Sequence, residues 1–195
     1  MGQAGKDDQH MRNAPVSEVI REAAEPHSDR GKEIIFELNL KSKEDISQPL
    51  IQRRPEIIHG LRNMIQNAID FANNKVWIVL SWSETDIKIT INDDGPGFPL
   101  QMISRIGDPF VSYRKASSPR LKQIDYQGMG LGLFIAKTLL ERTNAKLSFS
   151  NGGAKEIENS KNVTQIGAIV EIVWLRSDIE AQNKFLGENE NLQVF

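Results

Sequence analysis

Asn63 and Asn67 have side chains and a spacing that suit metal-assisted phosphate chemistry. They lie four residues apart in a segment with helical periodicity, so both fall on one face of a predicted helix. An asparagine amide oxygen is a hard, neutral ligand that suits Mg²⁺ alongside phosphate oxygens. The alternative is a solvated helix face with two unremarkable asparagines, and the two residues alone favour that alternative because short motifs match by chance.

Asp93 ends an alternating segment and is followed by Gly95 and Gly97, two residues apart. A carboxylate at a strand end could accept a hydrogen bond from the exocyclic amine of adenine. Guanine has a carbonyl at that ring position, so this contact would favour ATP. Glycines let the backbone approach a ligand closely. An ordinary Asp/Gly/Pro turn is the alternative.

Three alternating glycines, Gly128, Gly130 and Gly132, lead into an apolar helical segment. Amides exposed at a helix N-terminus bind phosphate. The spacing differs from the dinucleotide-binding fingerprint, and no Gly-Lys-Ser/Thr follows as in a Walker A loop. A flexible hinge before a buried helix remains the alternative, although it does not explain three alternating glycines.

A segment without periodicity, residues 107–127, joins the last two groups and carries Arg114, Lys115, Arg120 and Lys122. These cations could neutralise a triphosphate, and the polarity and length of the segment are typical of a mobile lid. A solvated surface loop is the alternative for any single basic residue.

The remaining pattern predicts the elements that position these residues. Apolar residues recur at helical spacing after Pro55, and Ile87, Ile89 and Ile91 alternate as in a half-buried strand. The predicted elements are helices over 16–25, from Pro55 onward and over 131–142, and strands over 34–40, 76–82, 86–92, 146–150 and 165–175. Together they predict a two-layer α/β sandwich, in which a mixed sheet of about five strands has helices on one face.

Composition limits the function classes. The chain has 195 residues, of which 39% are hydrophobic and 26% charged, with a net charge of −2 and no cysteine. It is long enough for one domain. No global positive field indicates nucleic acid, and thiolate catalysis, disulfides and Cys-based zinc sites are excluded.

With no apolar run of about 20 residues and no signal peptide, we expect a cytoplasmic location and no membrane contact by this part.

We expect three segments. Residues 1–14 are predicted to be a disordered start or the remnant of a linker, residues 15–176 the domain, and residues 177–195 a polar tail. His10 and His27 are predicted to lie in solvent, and His59 to be a polar helix residue.

The order of these groups resembles the catalytic, ATP-binding domain of sensor histidine kinases, in the superfamily that includes gyrase and MutL. Asn63-Met-Ile-Gln-Asn67-Ala is similar to the N box, Asp93-Asp-Gly-Pro-Gly97 to the G1 box, Asp108-Pro-Phe110 to the F box and Gly128-Met-Gly-Leu-Gly132-Leu to the G2 box, with Gly167-Ala168 a weaker match to the final glycine box. Residues 106–114 and 130–142 resemble the redox-responsive RegB/PrrB/ActS kinases of alphaproteobacteria.

The resemblance implies a Bergerat-type fold with a mobile ATP lid, and it implies roles for individual residues. Asn67 would coordinate Mg²⁺ and Asn63 would support the phosphates. Asp93, with Gly95 and Gly97, would read adenine. The other implied contacts are Phe71 with the base or ribose, Gly128, Gly130, Leu131 and Gly132 with the phosphates, and Arg114 or Lys115 with the γ-phosphate.

The resemblance also implies a function, which is transfer of the ATP γ-phosphoryl group to a histidine on a separate dimerisation domain and then to a response-regulator aspartate. The family's phosphoacceptor histidine has an acidic neighbour, which is absent at His10, His27 and His59. We therefore expect that this fragment does not contain the acceptor. Without the dimerisation helices, we expect it to be a monomer. Asp70 stands where the family often has Lys or Arg, which removes one phosphate cation. A non-catalytic, nucleotide-dependent partner-binding module and an anti-sigma-type serine kinase remain as alternatives.

Overall fold

A computed structural model of the chain describes residues 13–39, 46–101, 103–106, 129–156, 163–165 and 167–181. Five strands form the main sheet in the spatial order β2-β4-β5-β9-β6, with β2 parallel to β4 and the other pairs antiparallel. Two small sheets pair β1 with β3 and β7 with β8. The strands are β1 (Asn13–Pro15), β2 (Glu33–Leu38), β3 (Leu50–Gln52), β4 (Lys75–Trp82), β5 (Asp86–Asp93), β6 (Lys146–Asn151), β7 (Ala154–Glu156), β8 (Val163–Gln165) and β9 (Ala168–Leu175).

Helices cover one face of the main sheet. Alternation in β4, β5 and β9 buries every second side chain and leaves most of the others half-buried on the opposite face. The predicted α/β sandwich with a mixed five-stranded sheet is therefore confirmed. The predicted lid, residues 107–127, lies outside the described residues. The helices are α1 (Val16–Ala24), α2 (Pro55–Phe71), α3 (Met129–Glu141) and the short α4 (Arg176–Ile179).

Helix α2 is the central helix of the layer. Pro55 occupies its first turn, where a missing backbone N–H costs nothing. Its buried side chains recur at helical spacing, and the helix packs on β4, β5, α1 and α3. Gly60 allows α3 to approach closely, because a Cβ atom there would lie 2.6 Å from Leu140 Cγ. No helix in the described part combines the length and the apolar character that a membrane span requires.

A short strand precedes α1. Residues 13 and 14 were expected in a disordered start or the remnant of a linker, and in the structure Asn13–Pro15 pairs with β3 and Ala14 is buried. At the other end, Ile179 is buried and Glu180 bridges to Ile51. Strands of three residues carry too little alternation to be recognised in a sequence.

His27 was expected in solvent, and that prediction is wrong. Its side chain is 7% exposed, in a 3-10 turn (Glu25–His27) that packs against α2. Burial lowers the pKa of His27, and the nearby Arg30 guanidinium lowers it further. The lowered pKa favours the neutral imidazole at the contact between this turn and α2.

Candidate functional site

The site is built around the buried carboxylate of Asp93, which is 2% exposed. The alternation that buries Ile87, Ile89 and Ile91 brings Asp93 to the same inner face of the sheet. Its Oδ1 accepts hydrogen bonds from the backbone N–H of Gly95 at 2.8 Å and of Ala168 at 3.1 Å. Burial raises the pKa of Asp93, while these two hydrogen bonds oppose the rise. Among the described residues both bonds reach Oδ1, so Oδ2 is the oxygen suited to a ligand.

Two glycines make this arrangement sterically possible. A Cβ atom on Gly95 would lie 2.2 Å from the backbone oxygen of Phe71, and one on Gly167 would lie 2.3 Å from the backbone oxygen of Gly95. The N–H of Gly167 also donates to the Asp93 carbonyl at 2.7 Å. The end of α2, the turn after β5 and the start of β9 are therefore packed backbone against backbone around the carboxylate.

Asp93 lies in the wall of an open cleft between α2, α3 and the sheet. Its lining is mostly apolar with a few polar groups, which is typical of small-ligand sites. Asn67 and Asp93 supply the side-chain polar groups of the lining. The lining residues are Met64, Asn67, Ala68, Phe71, Ile91, Asp93, Gly97, Phe98, Leu133, Ala168 and Val170.

Asn67 lies where α2 faces the first turn of α3. Its Nδ2 donates to the backbone oxygen of Asn63 at 2.6 Å, which leaves the amide oxygen as the atom able to bind a cation. A Cβ atom on Gly132 would come within 3.4 Å of Nδ2. The described residues contain no cluster of three or more His, Cys, Asp or Glu side chains that could hold a metal ion. A divalent cation here would therefore depend on Asn67 and on oxygens of a ligand.

Asp94 fixes the end of α2 to the end of β5. Its carboxylate accepts hydrogen bonds from the backbone N–H of Asn74, at 2.9 and 3.1 Å, and of Lys75, at 3.0 Å. Asn73 Nδ2 donates to the Asp94 carbonyl at 2.5 Å. The loop after α2 is thus bound to the strand that carries Asp93.

Asn151 holds the other side of the same turn. Its Oδ1 accepts from the Phe98 N–H at 2.6 Å and its Nδ2 donates to the Phe98 carbonyl at 2.7 Å. Gly97 lies against it with φ of +78°, and a Cβ atom on Gly97 would be 2.7 Å from Asn151 Oδ1. Phe98 also packs edge-on against Phe149, with ring centroids 5.9 Å apart. The rim of the cleft is therefore anchored to β6.

The structure brings together several of the residues singled out in the sequence. Asn67, Phe71, Asp93 and Gly97 line the cleft. Gly95 packs behind Asp93, and Asn63 is half-buried one turn before Asn67. Gly130, Leu131 and Gly132 lie in the first turn of α3, where Leu131 is 68% exposed. Arg114, Lys115, Gly128 and the segment 108–110 lie outside the described residues.

The sequence did not identify Asn151 and Phe98 as parts of the site. Their contact joins positions 53 residues apart, and no local pattern marks such a pair. Gly167 and Ala168 gave only a weak signal, yet each donates a backbone N–H group to Asp93, at 2.7 and 3.1 Å. The apolar residues that line the cleft recur in the sequence with the same periodicity as ordinary core residues, so the pattern did not mark them as parts of a site.

We expect Gly95→Ala to destabilise the domain by about 1–3 kcal/mol, because the new methyl group overlaps the Phe71 backbone rather than a flexible side chain. Gly153→Ala is the matched control, since a Cβ atom there meets nothing within 4 Å, and it should change stability by less than about 0.5 kcal/mol. Urea unfolding of the two variants and the wild type measures both effects. Equal stabilities of Gly95→Ala and the wild type would show that the backbone contact is looser than described.

Comparison with known proteins places this site in a family. A model of the family described as histidine kinase-, DNA gyrase B-, and HSP90-like ATPase matches residues 52–178. The chain is 52% identical to the sensor histidine kinase RegB of Cereibacter sphaeroides over all of its 195 residues, which are 42% of that relative. The chain therefore spans less than half the length of this curated relative, and the resemblance to the RegB group is confirmed.

Two solved structures share the fold. The mycobacterial sensor histidine kinase MprB superposes with a TM-score of 0.58 at 20% identity, covering 87% of this chain and 99% of that one. The catalytic domain of histidine kinase ThkA superposes with a TM-score of 0.59 at 20% identity, covering 84% and 95%. The cleft at Asp93 lies within the matched residues 52–178, and this chain belongs to the histidine kinase-, DNA gyrase B- and HSP90-like ATPase family.

Proposed function

We propose that this domain binds Mg·ATP in the cleft at Asp93 and serves as the catalytic domain of a two-component sensor histidine kinase. The observation that carries the proposal is the buried carboxylate of Asp93 in a mostly apolar cleft, with one oxygen held by two backbone amides. An apolar cleft accommodates the faces of a purine, and the remaining carboxylate oxygen accepts from its exocyclic amine. Guanine offers no donor at that ring position, so ATP is the expected nucleotide.

The other groups of the cleft suit the rest of the nucleotide. Phe71, beside Asp93 in the lining, provides an apolar surface for the base or ribose. The first turn of α3, which contains Gly130, Leu131 and Gly132, would hold phosphates on its backbone N–H groups. We assign Gly128 to the same role from its sequence position. Gly95 and Gly97 form the turn that supports the purine site.

Asn67 is the residue we propose as the protein ligand of Mg²⁺. Its amide oxygen is left available by the hydrogen bond from Nδ2 to Asn63, and Asn63 would support the phosphates beside it. When bound, the ion would neutralise charge on the phosphates. Arg114 and Lys115 are proposed as further contacts of the γ-phosphate, because they lie between the Asp93 and Gly130 segments in the sequence.

The proposed reaction is phosphoryl transfer to a histidine supplied by another domain. The bond between the γ-phosphorus and the bridging oxygen to the β-phosphate breaks, a bond from that phosphorus to an imidazole nitrogen forms, and ADP leaves. Such transfer depends on positioning and on charge neutralisation more than on covalent chemistry by the protein. We propose the cytoplasmic dimerisation domain of the same kinase as the donor of the histidine, and a response-regulator aspartate as the next acceptor.

Asp93→Asn tests the nucleotide site. The asparagine amide can present an N–H group toward the purine amine, where the wild type presents an acceptor. ATP affinity should therefore fall by at least about tenfold, which corresponds to the loss of roughly one hydrogen bond to a charged group. Calorimetric titration with Mg·ATP measures the change, and GTP should bind neither protein. Asp86→Asn, at the half-buried start of the same strand and outside the cleft lining, is the matched control and should bind as the wild type does. Equal ATP affinity of Asp93→Asn and the wild type would contradict the site.

Phosphoryl transfer is tested separately with labelled ATP. Alone, the chain should not label itself appreciably. When the dimerisation domain of a RegB relative is added as a second chain, that chain should become labelled, and the label should be lost in acid, as expected for phosphohistidine. Acid-stable label on a partner would instead indicate a serine kinase, and ATP binding without any transfer would indicate a partner-binding module.

A further inference from the structure

An ion pair lies on the same face of α2 as the two asparagines of the site. At helical spacing, Asp70 falls on the stripe that contains Asn63 and Asn67. Its Oδ1 lies 2.8 Å from Nη2 of Arg30, and the two side chains are 38% and 42% exposed respectively. The Arg30 side chain is thus partly open to solvent beside this face of α2.

The register of α2 against α3 places this pair near the phosphate end of the proposed site. The two helices run antiparallel, because Gly60 meets Ala136 and Leu140 near the end of α3, whereas Asn67 meets Gly132 near its start. One further turn along α2 brings Asp70 level with the beginning of α3. The first backbone N–H groups of a helix have no intrahelical partner, so this beginning is where we propose that phosphate binds.

The turn that carries Arg30 is fixed in place. The backbone N–H of Arg30 donates to the carbonyl of His27 at 3.3 Å, and His27 is buried against α2. Gly31 follows with φ of +73°, a conformation that suits glycine and turns the chain toward β2. The position of Arg30 at α2 is therefore set by the fold as well as by its ion pair.

The charges explain why a pair should stand at this position. A lone carboxylate at Asp70 would repel a polyphosphate, whereas the pair with Arg30 has no net charge. A guanidinium has five N–H donors, and the contact with Asp70 occupies only part of them. The remaining donors can bind a phosphate oxygen while Asp70 holds the group in orientation.

We propose that Arg30 contacts the phosphates of the bound nucleotide and that Asp70 is a positioning residue for its guanidinium. The inference rests on the proposed Mg·ATP site and adds to it a cation from a distant part of the sequence. The competing explanation is an ion pair that only joins the turn to α2. A partly exposed ion pair contributes little to stability, so the two explanations differ mainly in what they predict for ligand binding.

The first test is calorimetric titration of the wild type and Arg30→Gln with Mg·ATP and, separately, with adenosine. We expect Arg30→Gln to bind Mg·ATP about tenfold more weakly, the loss of roughly one charge-assisted contact, and to bind adenosine as the wild type does. Arg53→Gln is the matched control, because Arg53 has similar exposure and pairs with Glu18 and Glu22 at the other end of α2. It should leave both affinities unchanged.

The second test moves the cation to the other side of the pair. In Arg30→Gln/Asp70→Arg, position 70 on α2 supplies the guanidinium in place of position 30, and Mg·ATP affinity should recover to within about threefold of the wild type. A double variant that folds but stays as weak as Arg30→Gln would overturn the proposal. So would wild-type Mg·ATP affinity in Arg30→Gln, or an equal loss of adenosine and ATP affinity. If the wild type itself binds neither adenosine nor ATP, the proposed function is wrong. That outcome is distinguishable from failure of the Arg30 proposal, because it is seen without any substitution.

Discussion

The buried carboxylate of Asp93 is the constraint on which the site depends. Removing a charge from water is costly unless hydrogen bonds compensate for it, and here burial raises the pKa while the N–H groups of Gly95 and Ala168 oppose the rise. Because both donors are backbone groups, the turn after β5 and the start of β9 must meet within hydrogen-bonding distance of one oxygen atom. That requirement explains the glycines at 95 and 167, where any Cβ atom would overlap backbone.

The surrounding polar contacts keep those segments together. Asp94 binds the loop after α2 through two backbone amides, and Asn151 binds both polar backbone groups of Phe98. One contact thus fixes the helix side of the cleft and the other fixes its rim on β6. Neither side chain needs to touch a ligand to matter, since each determines where the Asp93 turn lies.

The sequence predicted the features that follow from short-range periodicity. Ile87, Ile89 and Ile91 alternate, so β5 and the inward position of Asp93 could be inferred from the sequence, and the apolar spacing after Pro55 gave α2. The grouping of Asn67, Phe71, Asp93 and Gly97 came from a family resemblance, which the match over residues 52–178 supports at the level of the family.

What could not be predicted depends on contacts between distant residues. His27 was expected in solvent, yet its turn packs against α2, a contact between segments that are far apart in the sequence. In the sequence, Asn151 cannot be distinguished from any other asparagine at a strand end, because its contact with Phe98 exists only in the folded structure. The pairing of Asp70 with Arg30 likewise turns an isolated acidic residue into half of a neutral pair.

The most direct test of the account is a crystal structure of the domain with Mg²⁺ and a non-hydrolysable ATP analogue. The account predicts adenine in the cleft, with its exocyclic nitrogen about 2.7–3.2 Å from Asp93 Oδ2, while Oδ1 keeps its bonds to Gly95 and Ala168. A base bound outside the cleft, or one whose amine is directed away from Asp93, would contradict it.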